Sequence, residues 1–442
     1  MLDIKFIREN KEKIKQNIIN RKMDPQKADV DALLELDEEY RKKLTEVENI
    51  RAERNNLTAG KDEAIRAKGK ELKEKLKITE ESLEEIKTKM DKLAVWVPNL
   101  MSEDTPIGKS EDDNIDVRVW TPEKGYLDKS LLGKGFEVVA QMPKSDFPGK
   151  DHIELGKDLD IIDVEQSALT SGSRFCYLKK EAVILQFAII DLLFKELLRR
   201  KFMPMVVPLM VKERVLFGTS HFPEGYDQVY KISDENVEDK NKLFLVGSSE
   251  PSLFGYGMDR RFSEKDMPFK MCSLSSCFRS EVGSWGKDVH GIKRVHQFDK
   301  LEMDVICLPE QADEIFEELV SINEWLLQQL KMPYRVIQKC TGDAGYAASH
   351  KQYDVETWRI AAGEFMETMT DTNATDFQAR RLNIRYQKNN NEKGYCYTVN
   401  DTGVALGRMI LAVLENYQQK DGSILIPEVL QKYCGFSKIE KK

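Results

Sequence analysis

The sequence predicts an α+β protein: a mainly antiparallel sheet flanked by helices, preceded by a long antiparallel helical hairpin. Three observations predict it. Seam positions, all apolar but Thr79, step by four and three without a break from Leu72 to Leu93, in a stretch rich in Glu and Lys. Beyond residue 114, short β-rich runs such as "FKMCSLSSCF" and "YCYTVN" alternate with long amphipathic segments such as "PEQADEIFEELVSINEWLLQQL", with no regular βαβ beat. Between them, "CFRSEVGSWGKDVHGIKRVHQFDKLEMDVI" (277–306) sets charged residues two apart, which is the period of a strand.

The bulk numbers bound the rest. A chain of 442 residues is too long for one hydrophobic core, so two or three domains are expected. Hydrophobic residues at 41% and charged residues at 33% suit a soluble globular protein with one unusually charged part. The net charge of -8 excludes a globally basic nucleic-acid binder but leaves room for local basic patches. The seven cysteines are scattered and form no C-x-x-C pair, which favours a reducing compartment without a disulfide framework or a thiolate zinc site. "MLDIKFIRENKEKIKQ" has no apolar h-region, and Asp3, Glu9 and Glu12 argue against a transit peptide. The most apolar stretch, 181–198, is interrupted by Gln186, Asp191 and Lys195, so it reads as a buried helix and not a membrane span. A cytoplasmic protein is expected.

Along the chain, residues 28–98 form the hairpin. The second helix carries the seam of Leu72, Leu76, Thr79, Leu83, Ile86, Met90 and Leu93. The first keeps the same rhythm in Leu33, Tyr40, Leu44 and Val47, interrupted by Asp37 and Arg51. "NNLTAGKDEA" between them holds the turn signals, with Gly60 as the breaker. Two helices of about 30 residues at ~1.5 Å per residue reach roughly 40–45 Å. A dimerisation coiled coil and an arm that grips a partner both fit this pattern. Lys68, Lys70, Lys73, Lys75 and Lys77 against only Glu71 and Glu74 suit phosphates, although a solvated face gives the same run. The polar, acidic segment 97–114 reads as a linker, so the expected division is 1–110 and 111–442.

The commonest chemical motifs are absent. There is no G-x-x-x-x-G-K-[ST] loop and no G-x-G-x-x-G after a strand; the histidines lack metal-pair spacing, and no nucleophilic triad is legible. What remains is the alternation: Arg279 with Glu281 on one face, and Phe298, Lys300 and Glu302 on another. If these strands pair, one surface carries an arginine, two carboxylates, a lysine and an aromatic ring. A loop with Lys287, His290, Lys293 and Arg294 joins them. A half-exposed sheet face laced by cross-strand ion pairs fits the spacing equally well.

This stretch closely resembles motif 2 of the class II aminoacyl-tRNA synthetases, in the form found in seryl-tRNA synthetases. The resemblance extends over nearly the whole chain. "HIELG" (152–156) and "TSGSRF" (170–175) match early catalytic-domain signatures, and "VVPLMV" with Pro208 sits where motif 1 belongs. "TDFQARRLNIRY" (375–386) and "TGVALGRMILAVLENYQQKDGSILIPEVL" (402–430) match the C-terminal part with motif 3. The resemblance implies a class II antiparallel sheet flanked by helices, with a coiled-coil tRNA-binding arm in the N-terminal domain. It implies a ligase that activates L-serine with ATP to seryl-adenylate, then passes the seryl group to tRNA(Ser), with tRNA(Sec) as a second substrate. A homodimer through motif 1 and Mg2+ beside the ATP are implied as well; no structural zinc is expected.

Roles follow residue by residue from that resemblance. Arg279 would clamp the α-phosphate, and Arg408 would lie near the γ-phosphate and adenine, with Phe298 on the other side of the base. Glu281 would contact ATP, and Glu367 would hold Mg2+ and the phosphates. Ser280, Val295, Thr368, Met369 and Thr370 complete the implied ATP site. Ser248, Ser249, Glu250, Glu302 and Thr402 would bind serine, with Glu302 on its hydroxyl and Glu250 on its ammonium. The basic loop 284–294 would face the tRNA acceptor end. The chain departs from the family in three places: Ser248-Ser249-Glu250 replaces Thr-Ala-Glu, "ETMTDTN" (367–373) replaces Glu-Ile-Ser-Ser-Cys-Ser-Asn, and Val289-His290 replaces Thr-Arg. An RNA-binding protein that charges nothing would lack Arg279, Glu302 or Arg408. An adenylate-forming enzyme with another acceptor would not need the arm.

Overall fold

The Glu- and Lys-rich stretch forms two long helices. The computed structural model describes residues 1–57, 63–133, 135–232, 242–282 and 291–441, and the chain divides into two units, Met1–Leu100 and Met101–Lys442. In the first unit, α1 (Ile4–Glu9) and α2 (Lys11–Asn20) precede α3 (Val30–Asn56) and α4 (Glu63–Ala94). Asp3 and Asp29 cap α1 and α3 by accepting from backbone N–H groups of the first turn. The two long helices pack through Val47, Ile50, Leu72 and Leu76, with Leu57 and Leu83 against them, so the four-three seam faces inward as its spacing requires. Asp37, which interrupts that seam, is buried, and Arg8 and Arg41 grip its carboxylate. Arg51, the other interruption, reaches across to Glu80 at 2.7 Å. The turn with Gly60 lies outside the described residues. The five lysines from Lys68 to Lys77 are all exposed.

The second unit is built on a nine-stranded sheet. Its strands are β1 (Ile115–Thr121), β2 (Gly125–Tyr126), β3 (Met203–Pro204), β4 (Phe269–Phe278), β5 (Gln297–Cys307), β6 (Tyr334–Gln338), β7 (Lys351–Arg359), β8 (Glu364–Asn373) and β9 (Tyr397–Ala405). They lie in the order β2-β1-β6-β7-β8-β9-β5-β4-β3. Every pairing is antiparallel except the short contact of β3 with β4. Helices α5 (Glu181–Arg199), α7 (Ala312–Gln329) and α8 (Leu406–Asn416) share one apolar core with the sheet. Leu301, Met303 and Val305 of β5 point into that core. Strand alternation therefore turns Phe298, Lys300 and Glu302 to the opposite face, where the cleft lies.

Two expectations change in detail. The 181–198 helix is buried on one side only: Phe187 is 60% and Ile184 42% exposed. No described helix is long and apolar enough to cross a membrane. Strand β4 ends at Phe278, and Glu281 takes a left-handed φ of 51°, so a turn and not strand alternation brings Glu281 to the site.

Candidate active site

β5 lies between β4 and β9, with Ser273 opposite Glu302, Ser275 opposite Lys300 and Cys277 opposite Phe298. Small side chains on β4 leave room above the sheet for the longer ones of β5. On its other side, Glu302 faces Thr402. Together these residues floor a cleft of about 550 Å³ that also includes Ser248, Glu250, Arg279, Glu281, Val295, Glu367, Thr370 and Arg408. The two arginines, distant in sequence, border one cavity.

One end of the cleft gathers two buried carboxylates, one buried lysine and two hydroxyls. Lys300 Nζ lies 2.5 Å from Glu302 Oε2 and donates to Thr402 Oγ1 at 3.3 Å. Ser248 Oγ donates to the same Glu302 oxygen at 2.9 Å. Glu250 opens α6 (Glu250–Tyr256), and its Oε1 accepts from Tyr346 Oη at 2.9 Å and Gln378 Nε2 at 2.7 Å. Asn400 Nδ2 approaches that oxygen at 3.4 Å. Burial raises the carboxyl groups of both Glu250 and Glu302, opposed by Lys300. Burial, helped by Arg279 and Lys300, lowers His221 to about 4, so this imidazole is neutral at physiological pH. Two buried carboxylates beside one buried lysine leave the pocket short of positive charge, and a primary ammonium would supply it.

The other end gathers two arginines, Arg279 and Arg408, and the ring of Phe298. Arg279 N–H donates to the His296 carbonyl at 3.0 Å, carrying the β4–β5 ladder one residue past the strand. Its Nε donates to the Gly247 carbonyl at 3.2 Å, and its guanidinium carbon stands 5.4 Å from the Phe298 ring centroid. Arg408, in the first turn of α8, donates from one Nη to the Glu367 carbonyl at 3.0 Å and to its Oε1 at 2.9 Å. Burial works to raise the Glu367 carboxyl, but Arg408 and Lys339 prevail and hold it below the usual range. Arg294 Nε lies 3.7 Å from Glu281 Oε2.

Not every expected residue turns toward the cavity. The Ser249 hydroxyl is buried, and Ser280 Oγ donates to the Asp227 carbonyl. Thr368 and Met369 both border the cleft, but Thr368 spends its hydroxyl on the Val355 carbonyl, and Met369 also packs into the helix-side core. Asp371 is buried as well, against Asn323 of α7 and Asp401 of β9. Of the unusual residues of "ETMTDTN", Asp371 thus lies off the cavity wall, whereas Met369 belongs to both the wall and the core. Val289 and His290 lie outside the described residues, as does Lys287. Sequence reasoning assigned no role to His221, Tyr346, Gln378 or Asn400, and Lys300 only a place on a face. Lys300 had a signal in the alternation. The others come from four separate segments with no local pattern.

Residues 1–101 match the family described as the seryl-tRNA synthetase N-terminal domain, and residues 230–417 match the tRNA synthetase class II core domain (G, H, P, S and T). The chain is 38% identical to a serine–tRNA ligase of Dictyoglomus turgidum, over 100% of both chains. It superposes on the crystal structure of seryl-tRNA synthetase from Pyrococcus horikoshii complexed with ATP with a TM-score of 0.89, at 37% identity and 100% coverage of both chains. The cytoplasmic serine–tRNA ligase of Naegleria fowleri in complex with AMP superposes with a TM-score of 0.83, at 28% identity, over 100% of this chain and 99% of the other.

Proposed function

This chain belongs to the seryl-tRNA synthetase family of class II enzymes, and we propose that its cleft carries the family's serine–tRNA ligase reaction with the residues set out below. The observation that carries the proposal is the convergence of Arg279 and Arg408 on a cavity floored by Lys300, Glu302 and Thr402. ATP lies at the arginine end. A serine carboxylate oxygen attacks the α-phosphorus, the bond to the β-phosphate oxygen breaks, and pyrophosphate leaves. A hydroxyl of the terminal tRNA ribose then attacks the seryl carbonyl, and AMP departs. Arg279 disperses charge on the α-phosphate and Arg408 on the outer phosphates; a guanidinium suits both tasks because it stays charged and forks onto oxygens. Positioning and electrostatics do most of the work in such transfers. Phe298 and Arg408 flank the adenine, and Glu281 and Val295 contact the nucleotide.

Serine enters with its ammonium toward Glu250 and its hydroxyl toward Glu302. Binding makes good the missing positive charge, so both buried carboxylates ionise at less cost. Alanine and glycine are rejected because they would leave Glu302 short of a donor. Mg2+ fits the phosphate end: Glu367 and Thr370 offer oxygens, and Asp354, opposite Thr370, keeps one carboxylate oxygen unpartnered. Bound there, the ion would screen the triphosphate charge.

The exposed lysine strip of α4 supports a role for the arm in gripping tRNA. Serine-dependent ATP–pyrophosphate exchange followed by tRNA(Ser) charging tests the whole reading. Deleting residues 28–98 is expected to leave exchange within about threefold while charging falls by at least ~100-fold. Charging that survives the deletion would remove the arm from the account. tRNA(Sec) enters the same assay as the second acceptor. A homodimer is supported by apolar side chains left exposed in the single chain, namely Ile184 and Phe187 of α5 and Val206 and Met210 in the segment matched to motif 1. Sedimentation at micromolar concentration is expected to give twice the chain mass. A cytoplasmic location is supported by seven cysteines that are all free.

A further inference from the structure

We infer that His152, of the "HIELG" signature, is a positioning residue that fixes the wall of the nucleotide end of the cleft. The inference rests on the reading that ATP binds there. The imidazole is 5% exposed and sits at the start of the helix His152–Asp158. Its backbone N–H and its Nδ1 both lie 3.1 Å from Glu415 Oε1 in α8. Arg359 holds that carboxylate from the other side, with Nε and one Nη at 2.7 and 2.8 Å. The far ring nitrogen, Nε2, faces the backbone N–H of Ile292 at 3.3 Å. An amide N–H only donates, so Nε2 accepts, and the ring proton belongs on Nδ1, given to Glu415.

A second observation points the same way. Gly291 has a φ of +83°, and a Cβ built there would stand 2.1 Å from His152 Nε2. The ring occupies the space a side chain would need, so the backbone passes in direct contact with it. Residues 292–295, which follow, all line the cleft. The Lys293 carbonyl accepts from Arg408 Nε at 3.5 Å, and the Ile292 carbonyl lies 2.9 Å from where a Cβ on Gly407 would stand. The relay therefore runs from the end of β7 through Arg359, Glu415 and His152 to the strip of chain that supports Arg408. A hydrogen-bonded partner that orients a working side chain commonly matters ten- to hundredfold, as at metal-ligating histidines.

The test uses the full chain with three single variants. His152→Phe keeps ring bulk but removes both polar atoms; Gly291→Ala pushes on the ring from the cleft side; His152→Gln keeps an acceptor that can reach Ile292. ATP affinity is measured by calorimetry, and KM for ATP and for serine by pyrophosphate exchange. His152→Phe and Gly291→Ala are each expected to weaken ATP binding ~10-fold, with KM for serine within twofold and His152→Gln restoring most of the loss. Unchanged ATP affinity in both damaging variants would overturn the inference while leaving the ligase reading intact. So would equal losses for ATP and serine with a lowered melting temperature and no rescue by glutamine, which is the signature of a structural role. Weakened ATP binding without any serine-dependent exchange in the parent chain would support the inference and sink the ligase reading instead.

Discussion

Replacing Arg279 by alanine is expected to lower kcat for serine-dependent pyrophosphate exchange by ~10³-fold, with the fold unperturbed. The magnitude follows from removing one preorganised charge at the phosphate that changes bonding, a loss of about 4 kcal/mol of transition-state stabilisation. Stability is spared because the side chain is exposed and its one hydrogen bond goes to a neutral acceptor, the Gly247 carbonyl. Lysine at the same position restores the charge but not the fork, nor the stacking against Phe298, so recovery is expected to be partial. Glu302→Ala should fail in the complementary way. It removes the carboxylate that Lys300 and Ser248 hold, so kcat/KM for serine is expected to fall ~10³-fold while ATP affinity stays within threefold. Equal damage to ATP and serine in both variants would contradict the division of the cleft into two ends.

The second large effect concerns stability. Asp401 lies fully buried between sheet and helices, and burial pushes its carboxyl up to about 8. Asp371, also buried, is pushed well above the usual carboxylate range, chiefly by burial and then by Asp401. Asn323 donates to both, to Asp401 Oδ1 at 2.8 Å and to Asp371 Oδ2 at 3.3 Å. Folding therefore favours the protonated form of Asp401, whereas the unfolded chain releases that proton near the ordinary value of 3.8. This group's contribution is complete below pH 4 and is lost progressively as pH rises toward 8. The slope it adds is at most ~1.4 kcal/mol per pH unit. Asp401→Asn has no proton to retain, and its amide oxygen can still accept from Asp371 and Asn323. Urea unfolding between pH 5 and pH 8 is expected to show the variant gaining ~1 kcal/mol on the parent per pH unit. Parallel stability curves would show instead that Asp401 is already ionised in the folded protein throughout that window. The same core location explains how an aspartate at 371 is accommodated where the family has cysteine: its charge is suppressed by burial, and it does not line the cleft.

How much of this was legible in the chain itself depends on distance along it. The α4 seam was readable because helix periodicity places Leu72, Leu76, Thr79 and Ile86 on one stripe wherever the helix goes. The opposite faces of β5 were readable for the same reason, and the β5 residues named from the alternation do lie on the cleft. Glu281 shows the limit of such reasoning. Its distance of two from Arg279 implied a continuing strand, yet the backbone turns left-handed there, and no periodicity encodes that. Asp37 looks like a flaw in the hairpin's rhythm because its partner Arg8 lies 29 residues away.

The sequence by itself determined the class of protein and the side chains that face the cleft from a single strand or helix, since local periodicity depends only on bonded geometry. Only the tertiary structure decided which carboxylates would keep their protons, which hydroxyls would turn away from the cleft, and that an imidazole 140 residues from Ile292 would accept its amide. Those outcomes depend on burial and on partners brought together by long-range packing, and neither quantity has a signature in a short stretch of chain.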